Sequence, residues 1–364
     1  MTVKDFYTNR LKTGNAHSIQ FSRSNGDKSM SIPHVIFFKL IKRLSTVLFA
    51  LISAVTATHA NAEELTEVTL GSSWYAQAEH GGFYQAVATG LYEDYGLKVT
   101  IKMGGPQING LQLLAAGKTD FQMGYAVRSI TAVHQEIPII TVAASFQKSP
   151  QVLITHKNID SFEGIKGHPT LISTSARQTY WPWLKDEYGF TDSMAQPYQF
   201  SLAPFLINEN IVVQGYLTSE PFTLQNEGVD INVYLLADQG YPNYAATIET
   251  RLDMVEEQPQ VVKKFVQASM EGWVSYFKNP EPGNKLIKQA NPEMTDDQLE
   301  YSLDKMREFE LLNAGPAAEH GVGTMTHERW EQIFEFMKKA DMVPEDLDYK
   351  KAYTLEFLPN PVRM

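Results

Sequence analysis

The chain contains no cysteine. That absence excludes disulfide staples, thiolate metal sites and cysteine nucleophiles. It also excludes the lipid-modified cysteine that tethers exported proteins of single-membrane bacteria. Long apolar runs are almost as scarce. The conspicuous one, residues 44–55, holds about a dozen residues, short of the ~20 that a helix needs to cross a bilayer. Internal repeats and low-complexity linkers are missing too. Positive charge is under-represented, with 31 Lys and Arg against 42 Asp and Glu and a formal net charge of −11. Such a balance repels nucleic acid and anionic membrane surfaces, so neither is an expected partner.

What is present begins with an export pattern. Lys39, Lys42 and Arg43 precede the apolar run, and "ANA" ends at Ala62. A basic head, a short apolar stretch and a small-x-small end describe a secretory signal peptide, here 1–62. Met30 offers an alternative start that leaves a signal of ordinary length, and an uncleaved anchor is disfavoured by the length of the run. Removing the eight basic and two acidic residues of that segment leaves 23 basic and 40 acidic, a formal charge of −17. The expected compartment is a periplasm bounded by an outer membrane. About 300 residues remain, more than one small core organises, so two lobes are expected.

Short strands alternate with helices through the first half. "EVTLGSS" (67–73), "LKVTIKM" (97–103), "DFQMGY" (120–125) and "IPIITVAASF" (137–146) read as strands, with helices at 80–96, 108–117 and 128–136. A second run begins at "QVLITH" (151–156) and continues through "PTLISTS", "PYQFSL", "ENIVVQGYL" and "INVYLLAD" to 238. This rhythm predicts doubly wound parallel sheets, whose ligands bind beyond the carboxyl ends of the strands. After about residue 250 the texture changes to long amphipathic helices. The α/β fold expected is two lobes, 65–146 plus 245–364 and 150–242, with C-terminal helices bracing them.

Local catalytic motifs fail at the residues that carry chemistry. "GPQING" (105–110) has phosphate-loop glycine spacing, but Leu111 and Gln112 stand where Lys and Ser or Thr belong. "THERW" has half of a zinc-protease helix, yet position 331 is Glu rather than the second His. The histidines at 80, 134, 156, 168, 320 and 327 form no ligand pair, and no Gly-x-Ser-x-Gly elbow occurs. Neither a metal, nor a cofactor, nor an enzyme activity is expected.

Aromatic and polar residues crowd the strand ends instead. Trp74, Gln77, His80 and Tyr84 follow the first strand, and Tyr125 ends the third. Ser175 and Trp181 follow a strand of the second run, Glu220 follows "IVVQGYL", and Tyr244 lies on the way back to the first lobe. Each alone reads as core packing or capping. Together they suit a cleft in which flat rings sandwich a planar ligand and helix N-termini donate to it.

The same segments carry a family resemblance. "SSWYAQAEHGGFYQAVATGLYEDYGLKVTI", "LLAAGKTDFQMGY", "GYLTSEPF" and "YKKAYTLEFL" resemble the substrate-binding proteins of ABC importers in the family shared with thiamine pyrimidine-precursor synthase and the sulfonate and nitrate binders. The resemblance implies a type II periplasmic binding fold, a small-molecule solute, a permease partner in the inner membrane, and a monomer. It implies a ligand such as a pyrimidine precursor of thiamine, with nitrate, a sulfonate or another small solute as the alternative. A further alternative is the pyridoxal-phosphate-dependent synthase branch. At the positions implied for its lysine and histidine this chain has Gly124 and Arg128, and "GYPNYAA" replaces its cysteine block.

Overall fold

The computed structural model describes residues 64–106 and 108–364. The expected signal segment 1–62 lies outside the described residues. Among the described residues, ten strands form two five-stranded sheets. The first contains β1 (Thr66–Gly71), β2 (Leu97–Lys102), β3 (Phe121–Tyr125), β4 (Ile139–Phe146) and β10 (Ala245–Arg251), in the order β2-β1-β3-β10-β4. The second contains β5 (Gln151–His156), β6 (Thr170–Ile172), β7 (Ala195–Pro197), β8 (Val212–Tyr216) and β9 (Ile231–Leu235), in the order β7-β6-β8-β5-β9.

Neither sheet is purely parallel, which corrects the sequence expectation. β10 pairs antiparallel with both β3 and β4, and β5 pairs antiparallel with both β8 and β9. The reversals fall at the crossovers. The chain leaves the first sheet after β4, enters the second as β5, and returns after β9 as β10. A strand arriving from the opposite sheet enters without a βαβ crossover and therefore need not run parallel to its new neighbours.

Two further boundaries differ from the sequence pattern. The helix expected over 80–96 divides into Gly81–Ala88 and Leu91–Asp94, separated by Gly90 in the left-handed region at φ 76°. "PYQFSL" contributes only Pro197 to a strand, and Phe200 beyond it has φ 61°. A bulky residue held there stores backbone strain, and it lies beside the cleft described below.

Most of the buried side chains form one hydrophobic core that runs through both sheets, from Leu70 and Phe83 to Leu153 and Trp183. A smaller cluster under the second sheet, around Val152, Phe205 and Leu224, receives Trp74 from the first. The long C-terminal helices start where their signals predict. Pro259 opens Pro259–Lys278, and Thr295 and Thr326 cap Asp296–Glu308 and His327–Lys339 with their side-chain oxygens. Among the described residues no helix is long and apolar enough to cross a membrane, and no cluster of three or more His, Asp or Glu could hold a metal ion.

Candidate functional site

The carboxyl ends of β1, β3, β6 and β8 converge on one cleft, where open α/β sheets place their ligands. The cleft holds about 570 Å³ of empty space, its open mouth included. Ser73, Trp74, Gln77, Glu79, His80 and Tyr125 come from the first sheet's side. Gln151, Ser175, Tyr180, Gln214, Tyr216 and Glu220 come from the second.

Each wall is built by local chemistry. Beyond β1 the Ser72 hydroxyl donates to Trp74 O at 2.7 Å and accepts from Gly104 N–H at 2.9 Å. Asn291 Nδ2 donates to Ala76 O at 3.0 Å, tying the same loop to the C-terminal half. One turn of 3-10 helix, Ala78–His80, then leads into Gly81–Ala88. The Gly-Gly step there is a packing device. A Cβ at Gly82 would lie 2.3 Å from the Trp273 ring, and one at Gly81 would lie 2.3 Å from Tyr276. The helix therefore lies directly on Pro259–Lys278, which fixes where His80 and Glu79 point.

On the opposite wall, Ser173 caps the helix Thr174–Gln178, accepting from Ala176 N–H at 3.2 Å. Its own N–H donates to Gln214 Oε1 at 2.5 Å, joining β6 to β8. Glu220 is the first residue of Glu220–Asn226 and is 5% exposed. Its Oε1 accepts from Tyr198 Oη at 3.0 Å and its Oε2 from Tyr216 N–H at 2.9 Å. Gly215 makes room for it, since a Cβ there would be 3.0 Å from Glu220 Cβ.

The two walls touch. Gln77 Nε2 donates to Ser219 Oγ at 3.3 Å, the Thr218 hydroxyl donates to Glu79 Oε1, and the Tyr125 and Tyr216 hydroxyls share a hydrogen bond. Trp74 stacks on Tyr198, with ring centroids 6.4 Å apart and planes 13° from parallel, and meets Tyr75 and Phe200 edge-on.

The cleft's electrostatics are those of two buried acids beside a neutral histidine. Burial pushes the Glu79 carboxyl up to about 7; the Thr218 bond works against that shift and the Glu220 charge adds to it. Burial also raises Glu220, opposed by bonds from the Tyr216 and Glu220 backbone and from Tyr198 and Ser219. His80 is pushed down to about 4 by burial, so its imidazole is neutral at pH 7. No Lys or Arg is among the described residues lining the cleft.

Of the nine residues singled out by sequence, the structure brings six together here: Trp74, Gln77, His80, Tyr125, Ser175 and Glu220. It does not bring Tyr84, Trp181 or Tyr244. Tyr84 is buried in the main core. Trp181 turns away from the cleft, donating from Nε1 to Asp192 Oδ1 at 3.2 Å and packing edge-on against Phe190. Its neighbour Tyr180, which precedes the first turn, faces the cleft in its place. Tyr244 packs toward the C-terminal helix His327–Lys339, under the Arg329 guanidinium at 5.8 Å and against Trp330. Sequence reasoning missed Glu79, Tyr180, Gln214 and Tyr216. Glu79 carried a weak signal, as the one acid between Glu67 and Glu93.

The family model described as NMT1/THI5 like matches residues 77–282. The chain belongs to that family. Riboflavin-binding protein RibY of Chloroflexus aurantiacus is 27% identical over 308 residues, covering 81% of this chain and 87% of the relative. The formylaminopyrimidine-binding protein of Halalkalibacterium halodurans is 24% identical over 335 residues, covering 87% and 98%. The 4-amino-5-hydroxymethyl-2-methylpyrimidine phosphate synthase of Legionella pneumophila is 20% identical over 314 residues, covering 81% and 93%. Among solved structures, the periplasmic aliphatic sulphonate binding protein SsuA of Escherichia coli aligns with a TM-score of 0.59 at 13% identity, covering 82% and 93%. The fold is that of the periplasmic binding proteins.

The residues do not fit the lysine-linked pyridoxal phosphate of the synthase branch. At Gly124 even a Cβ would lie 1.8 Å from Glu249 Oε1, so a lysine side chain has no room. Glu249 is held there by Ser129 Oγ at 3.1 Å and Tyr125 N–H at 3.3 Å. No lysine among the described residues lines the cleft, so a Schiff base has no seat in it.

Proposed function

We propose that this protein is the solute-binding component of an ABC importer and that it captures a small planar nitrogen heterocycle of the aminopyrimidine type. It is exported with residues 1–62 removed, and it works in the periplasm as a monomer. Lobes 65–146 plus 245–364 and 150–242 close on the solute, and the closed form docks on an inner-membrane permease.

One observation carries the choice of ligand. The cleft combines two buried carboxylates, Glu79 and Glu220, with flat aromatic walls, and none of its lining side chains is Lys or Arg. Burial disfavours the charge on both acids, so a solute that brings N–H donors or positive charge to them is the one that favours their ionised, accepting form. Trp74 and Tyr180 supply π faces for a ring. RibY and the formylaminopyrimidine-binding protein are named for planar nitrogen heterocycles, which agrees with this chemistry. A sulfonate or nitrate would bury a negative charge beside two acids with no side-chain cation, a costly arrangement. The synthase reading lacks its lysine.

The test is a thermal-shift screen of aminopyrimidines, flavins, alkanesulfonates and nitrate. A ligand at about a thousand times its dissociation constant adds roughly 4 kcal/mol of stability. Stabilisation by an aminopyrimidine, with sulfonates and nitrate silent, is the expected result. Stabilisation by sulfonate or nitrate alone overturns the proposal.

A further inference from the structure

Three buried polar atoms on residues that line the cleft have no hydrogen-bond partner: Glu79 Oε2, His80 Nδ1 and Ser175 Oγ. Glu79 and His80 are each only 3% exposed, so bulk water does not satisfy them. Buried polar groups left unpaired destabilise a fold, and in a binding cleft such atoms mark where a ligand's own polar groups belong.

Glu79 Oε1 is committed to the Thr218 hydroxyl, which leaves Oε2 as the free acceptor. His80 Nδ1 also has no partner, and burial keeps the imidazole neutral at pH 7. A neutral imidazole carries one ring proton, and with that proton on Nε2 it presents a lone pair on Nδ1. In that tautomer two adjacent residues of one 3-10 turn offer two acceptors to the cleft they both line. Glu220 has one protein donor on each oxygen, which anchors it at the head of its helix and leaves a second lone pair on each oxygen for the solute.

We propose that Glu79 and His80 are the specificity-determining pair of the cleft, reading two N–H groups on one edge of the solute. This inference rests on the aminopyrimidine reading and sharpens it. An exocyclic amine beside a protonated ring nitrogen supplies those donors, as does an amine that shares both of its hydrogens. The deaminated ring, a pyrimidinone, replaces an N–H donor with a carbonyl acceptor. It sets oxygen against the Glu79 carboxylate and leaves an acceptor unpaired. Sites built to hydrogen-bond a particular group reject analogues lacking it far more strongly than apolar pockets reject a missing methyl.

The test is isothermal calorimetry near pH 8, where Glu79 is largely ionised, using 4-amino-2-methylpyrimidine and 2-methyl-4-pyrimidinone as probes. Wild-type protein is expected to prefer the amine at least tenfold. Glu79→Gln keeps the shape but turns half of the acceptor into a donor. It is expected to lower amine affinity at least tenfold and to narrow the preference over the pyrimidinone. His80→Phe is expected to weaken the amine selectively, in a variant whose unfolding midpoint shows it to be folded. Equal amine affinity in wild type and Glu79→Gln overturns the Glu79 assignment while leaving the functional reading intact. Wild-type protein that binds a sulfonate or nitrate but neither pyrimidine overturns both.

Discussion

Thr218, just beyond β8, donates its hydroxyl to Glu79 on the opposite wall of the cleft, 139 residues earlier in the chain. The bond joins the two sheets through an acid that has no cationic partner. Ser302 of the helix Asp296–Glu308 donates to Thr218 O at 2.5 Å, so a C-terminal helix braces the same point. The cleft is thus held by its polar residues as well as lined by them.

Ligand-free stability should fall with rising pH because of Glu79. Its carboxyl stands at about 7 in the folded protein against an ordinary 4.5, so folding favours the protonated form. That contribution is fully present below about pH 4.5 and is lost as pH rises through about 7. Glu79→Gln removes it and should gain on wild type over that window, by up to about 3 kcal/mol. His80 acts in the opposite sense, contributing stability above about 6.5 that is lost as pH falls through about 4. Urea unfolding of both proteins near pH 5 and near pH 8 measures the Glu79 difference. A constant offset between them contradicts the placement of Glu79.

Trp74 tests the aromatic wall. It is half-buried and rests on Tyr198 and Phe200 of the second sheet's side. Trp74→Ala should weaken an aminopyrimidine several-fold, since ring stacking contributes on the order of 1 kcal/mol beyond area burial. Far-UV circular dichroism should be unchanged. A variant that loses its fold would make Trp74 a core residue.

Trp181 is the contrasting case. It is 2% exposed, bonded to Asp192 and packed on Phe190. Trp181→Ala should cost about 3–5 kcal/mol of folding stability through the cavity it leaves. The molecules that remain folded should bind ligand with nearly wild-type affinity. Affinity falling with stability unchanged would return Trp181 to the site.

Much of this architecture is legible in the sequence because its signals are local. Ser173, Thr295 and Thr326 announce helix starts, and the strand ends that carry Trp74, Tyr125 and Glu220 follow from alternation and turn chemistry. The antiparallel course of β5 and β10 is not local, since it depends on where the chain crosses between sheets. Choosing Trp181 over Tyr180 is an error of one position, which on a helix turns a side chain by about 100°. Tyr244 was placed at a crossover whose side chains face a C-terminal helix about 80 residues later, which periodicity does not reveal. Glu79 escaped notice because what marks it, an unshared oxygen and a hydroxyl from the far wall, exists only after both sheets have formed.

The most direct test of the aminopyrimidine cleft is calorimetric titration of wild-type and Glu220→Gln protein with the aminopyrimidine that stabilises it best. The substitution keeps the shape of the helix start and replaces half of an acceptor with a donor. Hydrogen bonds to a charged group contribute roughly 1.5–3 kcal/mol. Binding of one molecule per chain by wild type, weakened at least tenfold by Glu220→Gln, is the predicted result. Undiminished affinity in the variant, or a wild-type protein that takes up an alkanesulfonate and ignores the pyrimidine, would contradict the account.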